Sequence, residues 1–252
     1  MPVERLRKGK RIVGTMVRMI RNPAVAMIAK NAGLDFIMID MEHGSHSLEG
    51  IADIFKVARA VGLGSFVRVP ELSKGYVSRI MDCGANGVMV PMIDSVKEAE
   101  ALVAWTKYAP LGNRGLGSTG GHTGFGGMGG TAPEFMERAN RETLSIAQIE
   151  TVGAVEAIEE IAAIKGLDAL LIGPNDLSIS LGCPGDTTGT QVNEAIGKVA
   201  KAARNNKKIF GMHGPDALTE RWIPEGLTLV MSALDINMIT ASFKAIADKF
   251  RE

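Results

Sequence analysis

Eight short apolar runs, rich in β-branched residues and spread over the whole chain, restrict the fold more than any other feature of this sequence. They fall at residues 12–17, 36–41, 65–69, 87–91, 145–150, 169–173, 208–212 and 228–232. Between most of them the apolar residues recur at three- and four-residue steps, as at 24–32, 48–60, 96–108, 152–164 and 191–205, and 236–250 closes the chain with the same pattern. Such spacing marks a helix with one buried face. Strands alternating with helices imply a parallel sheet with right-handed crossovers. Eight such units in about 250 residues is the size of a (β/α)8 TIM barrel, here a single domain over 1–252. An open doubly wound sheet normally carries a glycine-rich phosphate turn after its first strand, whereas Val17 is followed by Arg18-Met19-Ile20-Arg21.

Charge narrows the partners. Twenty-eight basic residues balance 28 acidic ones, so no basic stripe points to nucleic acid or an anionic membrane. No run approaches the roughly 18 apolar residues that span a bilayer. Cys83 and Cys183 stand far apart without metal-ligand spacing, which fits a reducing cytoplasm. The expected partner is a small molecule.

One connection breaks the rhythm. Between 91 and 145 a helix is followed by 112–130, in which ten of nineteen residues are glycine. A loop of that composition in a compact domain is expected to be functional or mobile, and it is read here as an active-site loop.

Barrel enzymes carry their chemistry where the strand C-termini converge. The second strand ends in Asp40, Glu42, His43 and His46, the third carries Arg68, and the fifth ends Gln148-Ile149-Glu150. The sixth runs into Gly173-Pro174-Asn175-Asp176, and His213 follows the seventh. Glu150 and Asp176, from neighbouring strands, suit a hard divalent cation, which accepts one or two carboxylates and leaves sites for substrate oxygens. The alternatives are a first-turn charge for Glu150 and a helix cap for Asp176. Arg68 in an apolar strand needs an anion: either Asp40 or Glu42, or a substrate carboxylate or enolate. His43, beside acids at the barrel mouth, is placed for proton transfer; His46, His122 and His213 are weaker candidates. No lysine lies inside a strand, which argues against Schiff-base chemistry.

These residues resemble the HpcH/HpaI aldolase family. The matching motifs are Asp40-Met41-Glu42-His43-Gly44, Val67-Arg68-Val69-Pro70, Asp82-Cys83-Gly84-Ala85-Asn86-Gly87, Gln148-Ile149-Glu150-Thr151 and Gly173-Pro174-Asn175-Asp176-Leu177-Ser178, in order over about residues 5 to 235. The resemblance implies a class II aldolase that cleaves a 4-hydroxy-2-oxo acid into pyruvate, or a close analogue, and an aldehyde. It implies Mg²⁺, Mn²⁺ or Co²⁺ on Glu150 and Asp176, with Arg68 on the enolate. His43 would move the proton, with Asp82 orienting its ring. Gln148 and the backbone of Gly173, Pro174 and Asn175 would hold the 2-oxo acid, and Glu42 and Asp40 would stand behind these groups. Relatives form hexamers, with a C-terminal helix exchanged or packed between subunits. This chain departs from the family at Asn175 and along 117–130, where His122 and Thr123 become acceptor-side candidates. Two other readings are a CoA-thioester lyase of the citrate lyase β-subunit type and a catalytically silent barrel that binds a small acid.

Overall fold

A computed structural model describes residues 1–251. Its eight strands are β1 (Ile12–Val17), β2 (Phe36–Asp40), β3 (Gly64–Arg68), β4 (Gly87–Val90), β5 (Leu144–Ile149), β6 (Ala169–Ile172), β7 (Ile209–His213) and β8 (Leu227–Leu234). They close, in chain order and parallel throughout, into the expected barrel. The helices are α1 (Pro2–Arg7), α2 (Ala24–Asn31), α3 (Leu48–Val61), α4 (Lys74–Asp82), α5 (Val96–Thr106) and α6 (Ala132–Glu142). They continue with α7 (Val152–Glu156), α8 (Ile158–Ala163), α9 (Pro174–Ser180), α10 (Thr190–Asn205), α11 (Asp216–Trp222) and α12 (Asp235–Phe250).

Strand residues alternate between two apolar compartments, because successive side chains leave opposite faces. Outward residues such as Ile37, Ile39, Val67, Val88, Val90, Leu170 and Ile172 meet the helices. Inward ones, among them Met16, Phe36, Met38, Phe66, Met89, Ile146, Leu171 and Met231, fill the barrel, and Val3 and Leu6 of α1 join them from the N-terminal end. Extending the inward parity by one more pair carries it from Met38 to Asp40, from Phe66 to Arg68, and from Ile146 to Gln148 and Glu150. The polar mouth therefore stands directly on an apolar plug.

The turns at that mouth are short and fixed. Ser47, Ser73, Ser95 and Thr151 each cap the helix that follows, accepting from the N–H of Gly50, Tyr76, Glu98 and Ala154, which satisfies helix-start donors that would otherwise lack partners.

Five helices, α1, α4, α6, α9 and α11, lie outside the helical stretches read from the sequence. Of these, α6 is announced by Thr131-Ala132-Pro133-Glu134, where the Glu134 carboxylate accepts from the Thr131 N–H at 2.8 Å in a capping box. Because α5 ends at the N-terminal side of the barrel and β5 begins there, α6 and the whole of 112–130 lie on that face. The glycine-rich segment is thus not an active-site loop within its own chain. It packs on the end of α4, with the His122 Nδ1 facing the Asp82 carbonyl at 3.3 Å and its Nε2 facing that of Gly117 at 3.0 Å. Thr123 closes the local turn, receiving the Gly120 N–H and donating to the Gly126 carbonyl.

The same face holds a buried ion pair. Lys107, 1% exposed, lies 2.6 Å from Asp168 and donates to the carbonyls of Asn140 and Thr143. All three ammonium donors are used. Replacing Lys107 by Met leaves a buried carboxylate and two carbonyls short of a donor, so Lys107→Met should lower the unfolding free energy by about 3 kcal/mol. Lys56→Ala, which removes an exposed pair with Asp53, should cost less than about 1 kcal/mol; urea titrations of both variants check the contrast.

Candidate active site

Asp40 and Arg68 are register partners on β2 and β3, both inward and both buried. Arg68 grips Asp40 with two parallel bonds, Nε to Oδ1 at 3.0 Å and Nη2 to Oδ2 at 2.8 Å. Arg18, just past β1, places Nε 2.8 Å from the same Oδ2. The backbone N–H groups of Glu42 and His43 also turn to Oδ1. Burial alone would push the Asp40 carboxyl up, but the Arg68 and Arg18 donors outweigh it and hold the group down at about 2. The third Arg68 nitrogen, Nη1, lies 2.8 Å from Glu42 Oε2 but off the hydrogen-bonding direction, so that oxygen has no aligned donor. Arg68 therefore pairs with both acids that the sequence offered as its neighbours.

His43 stands in the turn after β2 with its ring about half exposed, and its Nε2 is 3.8 Å from Glu42 Oε2. The turn needs Gly44: a Cβ there would come within 2.1 Å of the Asp40 carbonyl and 2.9 Å of that of Arg18.

The opposite wall comes from β5 and β6. Glu150, 1% exposed, receives the Met92 N–H on Oε1 at 2.8 Å and the Gln148 amide on Oε2. Met92 reaches it from a left-handed backbone, φ +53°, a conformation that costs a residue with a Cβ about 1 kcal/mol or more. Burial raises the Glu150 carboxyl, and Asp176 and Glu42 add like-charge repulsion, so the group sits at about 7 despite the Met92 and Gln148 donors. Glu42 is raised as well, chiefly by burial. Gln148 is buried with its Oε1 unpartnered. The N-cap position of α9 is Gly173, so Asp176 stands inside the first turn and is not its cap; Thr151 caps α7, and Glu150 lies before that helix and outside its first turn. Asp176 lies in the first turn of α9, partly exposed.

Asp82 is not part of this assembly within one chain. It ends α4 at the N-terminal side of the barrel, where its carboxylate pairs with Arg114, and it does not orient His43 there. A cavity of about 670 Å³ also opens on that side, lined by Arg7, Tyr108, Arg114, His122 and Phe135 among others; volume alone does not locate the chemistry. Three further groups complete the mouth: His213, which the sequence offered only as a weaker candidate, and Asp235 and Arg18, which escaped sequence reasoning. His213 is the last inward residue of β7 and shares a 3.1 Å hydrogen bond with the Ala233 carbonyl, which is presented by a second left-handed backbone, φ +61°. Asp235 takes the N–H groups of Arg18, Met19 and Ile20 and so pins the loop after β1. Arg18 is the third. Inward parity was a usable signal for Arg18 and His213; nothing local in the sequence marks Asp235. His46 is buried under the turn, with neither ring nitrogen hydrogen-bonded.

Gly173 has no room for a side chain. A Cβ there would meet Glu150 Oε2 at 2.2 Å and Gln148 Nε2 at 2.7 Å. Gly173→Ala should therefore displace both groups and lower kcat/KM by about a hundredfold. Its melting temperature should stay close to wild type, because the displaced groups face the open mouth; steady-state kinetics and a thermal melt check both halves.

The comparisons agree with this geometry. The family described as HpcH/HpaI aldolase/citrate lyase matches residues 18–239. The hydroxypyruvate/pyruvate aldolase of Roseobacter denitrificans is 30% identical, the alignment covering 98% of this chain and 95% of that protein. The 4-hydroxy-2-oxovalerate aldolase of Novosphingobium aromaticivorans is 32% identical over 86% of this chain and 81% of its own. The crystal structure of an HpcH/HpaI aldolase from Desulfitobacterium hafniense superposes with a TM-score of 0.93 at 32% identity, covering 99% and 96% of the two chains. With the barrel and its strand-end residues in place, the chain belongs to the HpcH/HpaI aldolase/citrate lyase family.

Proposed function

We propose that this chain is a metal-dependent class II aldolase that reversibly cleaves a 4-hydroxy-2-oxo acid into pyruvate, or a close analogue, and an aldehyde. The aldolase activity rests on the family and its relatives. The observation that carries the mechanism is the acid corner of Glu150, Asp176 and Gln148 facing the fixed guanidinium of Arg68. Among the described residues no three His, Cys, Asp or Glu side chains form a metal cluster. Two carboxylates with substrate oxygens are, however, a ligand set that Mg²⁺ or Mn²⁺ accepts, and Co²⁺ suits the same oxygens. The corner fits a cation on its own terms: its donors are oxygens, Gln148 Oε1 is unpartnered, and Glu150 receives hydrogen bonds only from the neutral amides of Met92 and Gln148.

When bound, the cation supplies Lewis acidity to the 2-oxo group, where charge develops. The chain's own groups do the rest. Gln148 and the N–H of Asn175 hold the 2-oxo acid beside Gly173, Pro174 having no N–H to give. Arg68, held by Asp40, stabilises the enolate oxygen. His43 takes the proton of the 4-hydroxyl as the C3–C4 bond breaks. The bonding electrons pass into the enolate, which is protonated at C3 to give pyruvate, and the aldehyde leaves. Glu42 keeps Arg68 and His43 in a common field. Of the two arginines on Asp40, only Arg18 keeps unpartnered N–H groups, enough for one anionic group but not for the several phosphates of CoA, which disfavours the thioester alternative.

Assembly completes the reading. The last helix buries only Asp235, while Met238, Phe243, Ile246 and Phe250 are exposed; a second copy would cover that face in a homo-oligomer, a hexamer by family resemblance. A neighbouring copy would also bring Asp82 and the 117–130 segment to His43, which no single chain can do. Among the described residues no helix is long and apolar enough to cross a membrane, and a cytoplasmic site of action accords with the free cysteines.

Two tests follow. His43→Ala should lower kcat for pyruvate release by about 10²- to 10⁴-fold, and EDTA should abolish it until Mg²⁺ is restored. The folded-state affinity of Glu150 for a proton is raised from 4.5 to about 7, so in the metal-free protein its contribution to stability weakens as pH rises through that window. A cation needs the ionised form and competes with the proton. Mg²⁺ should therefore raise the melting temperature more at pH 8 than at pH 6, and Glu150→Gln should remove the difference. An equal rise at both pH values would refute Glu150 as a ligand.

A further inference from the structure

The mouth is chemically lopsided. The acids Glu150 and Asp176 follow β5 and β6, while the opposite side of the ring is β7, β8 and β1, which bring His213, Leu234 and Arg18 to their ends at the mouth. No carboxylate on that side is free to answer Arg18. Asp235 is spent on the backbone N–H groups of residues 18 to 20, and Asp216 accepts from Ser232. Arg18 itself donates to protein only through Nε, to Asp40. That oxygen is already shared with Arg68, so Asp40 neutralises neither cation fully. The remaining N–H groups of Arg18, on Nη1 and Nη2, have no partner among the described residues, and its side chain is 28% exposed at the opening. The side chain is fixed at its Nε by Asp40 and at its base by the backbone that Asp235 pins.

A guanidinium fixed at Nε, with both Nη groups facing solvent, is preorganised for a carboxylate, which it can take through two parallel bonds. We infer that Arg18 is a specificity-determining residue that binds a carboxylate on the acceptor half of the substrate, so that the preferred substrates are 4-hydroxy-2-oxo diacids. The inference rests on the aldolase reading above, in which the 2-oxo acid end lies at β5 and β6. With that end fixed, the substituent on C4 projects across the ring toward β1. Retro-aldol cleavage of such a diacid balances as before: the C3–C4 bond breaks, the 4-hydroxyl proton leaves to His43, and the products are pyruvate and an aldehyde or 2-oxo compound that keeps the second carboxylate.

The test compares 4-hydroxy-2-oxoglutarate with 4-hydroxy-2-oxovalerate, which differ by a carboxylate in place of a methyl, as substrates of the Mg²⁺-loaded enzyme. Wild-type kcat/KM should favour the diacid by about tenfold or more. In Arg18→Gln that ratio should collapse toward one through a higher KM for the diacid, whatever loss both substrates share through Asp40, and Arg18→Lys should restore part of it. A ratio near one in the wild type, or one unchanged in Arg18→Gln, overturns the inference while leaving the aldolase reading intact. A binding measurement separates the two readings further. Thermal stabilisation by 2-oxoglutarate should exceed that by 2-oxovalerate, and Arg18→Gln should erase the excess. If that pattern holds while neither hydroxy acid is cleaved, the carboxylate subsite stands and the activity falls; equal stabilisation by both overturns the subsite.

Discussion

The carboxylate of Asp40 organises the mouth of this barrel. It is fully buried, and a lone buried carboxylate would be costly enough to stay protonated. Two guanidiniums and two backbone N–H groups keep it ionised instead. Each of those bonds fixes something else. The bidentate grip sets the plane of the Arg68 guanidinium, the Arg18 bond fixes a second cation at the rim, and the two N–H bonds fold the turn that carries Glu42 and His43. A buried pair of this kind is a poor source of stability, because desolvation consumes most of the Coulombic gain. What it provides is position: three groups held relative to one oxygen pair, on strands that cannot move independently of the barrel.

Asp40 also explains why the rest of the mouth is left short of positive charge. It engages both arginines, and Glu42 has only the flank of one of them. Glu150 is then left with donors that are neutral amides, and burial, reinforced by the like charges of Asp176 and Glu42, raises it toward neutrality. Carboxylates gathered in this way, with an unpartnered amide oxygen beside them, are the arrangement that a divalent ion relieves. The strained Met92 backbone belongs to the same arrangement, since its N–H is one of the few donors that Glu150 has.

Much of this was legible in the sequence. The eight runs located every strand to within two residues at either end, because period-two and period-3.6 patterns differ over even short segments. Strand-end position singled out His43, Arg68, Gln148, Glu150 and Asp176, and the barrel does bring Arg68, Gln148 and Glu150 to one opening. The sequence could not reveal what depends on closure. The Arg18–Asp40 bond joins β1 to β2 through side chains 22 residues apart, and Asp235 reaches the loop after β1 only because β8 closes against it. The sequence also did not show that the glycine-rich segment lies at the other end of its own barrel, because composition reports backbone freedom, not which end of the barrel a connection occupies. The same holds for Asp82: its place in a motif was clear, but α4 delivers it to the other face of its own chain.

That separation of the two faces bears on why the family resemblance and a single chain disagree about Asp82. A barrel strand is four to eight residues long here, and the chain returns to the N-terminal face before each next strand begins. A residue at the end of α4 is thus held a full strand length from the mouth it would serve, and no rearrangement of side chains closes that gap. Meanwhile the N-terminal face is held together by the Arg114–Asp82 pair and by His122, which fix the glycine-rich segment and the end of α4 to one another. A surface fixed in that manner can be presented as a unit. The exposed apolar face of α12 supplies a reason for another copy to approach, and association by that route would let one rigid face complete the mouth of its neighbour without either barrel changing shape.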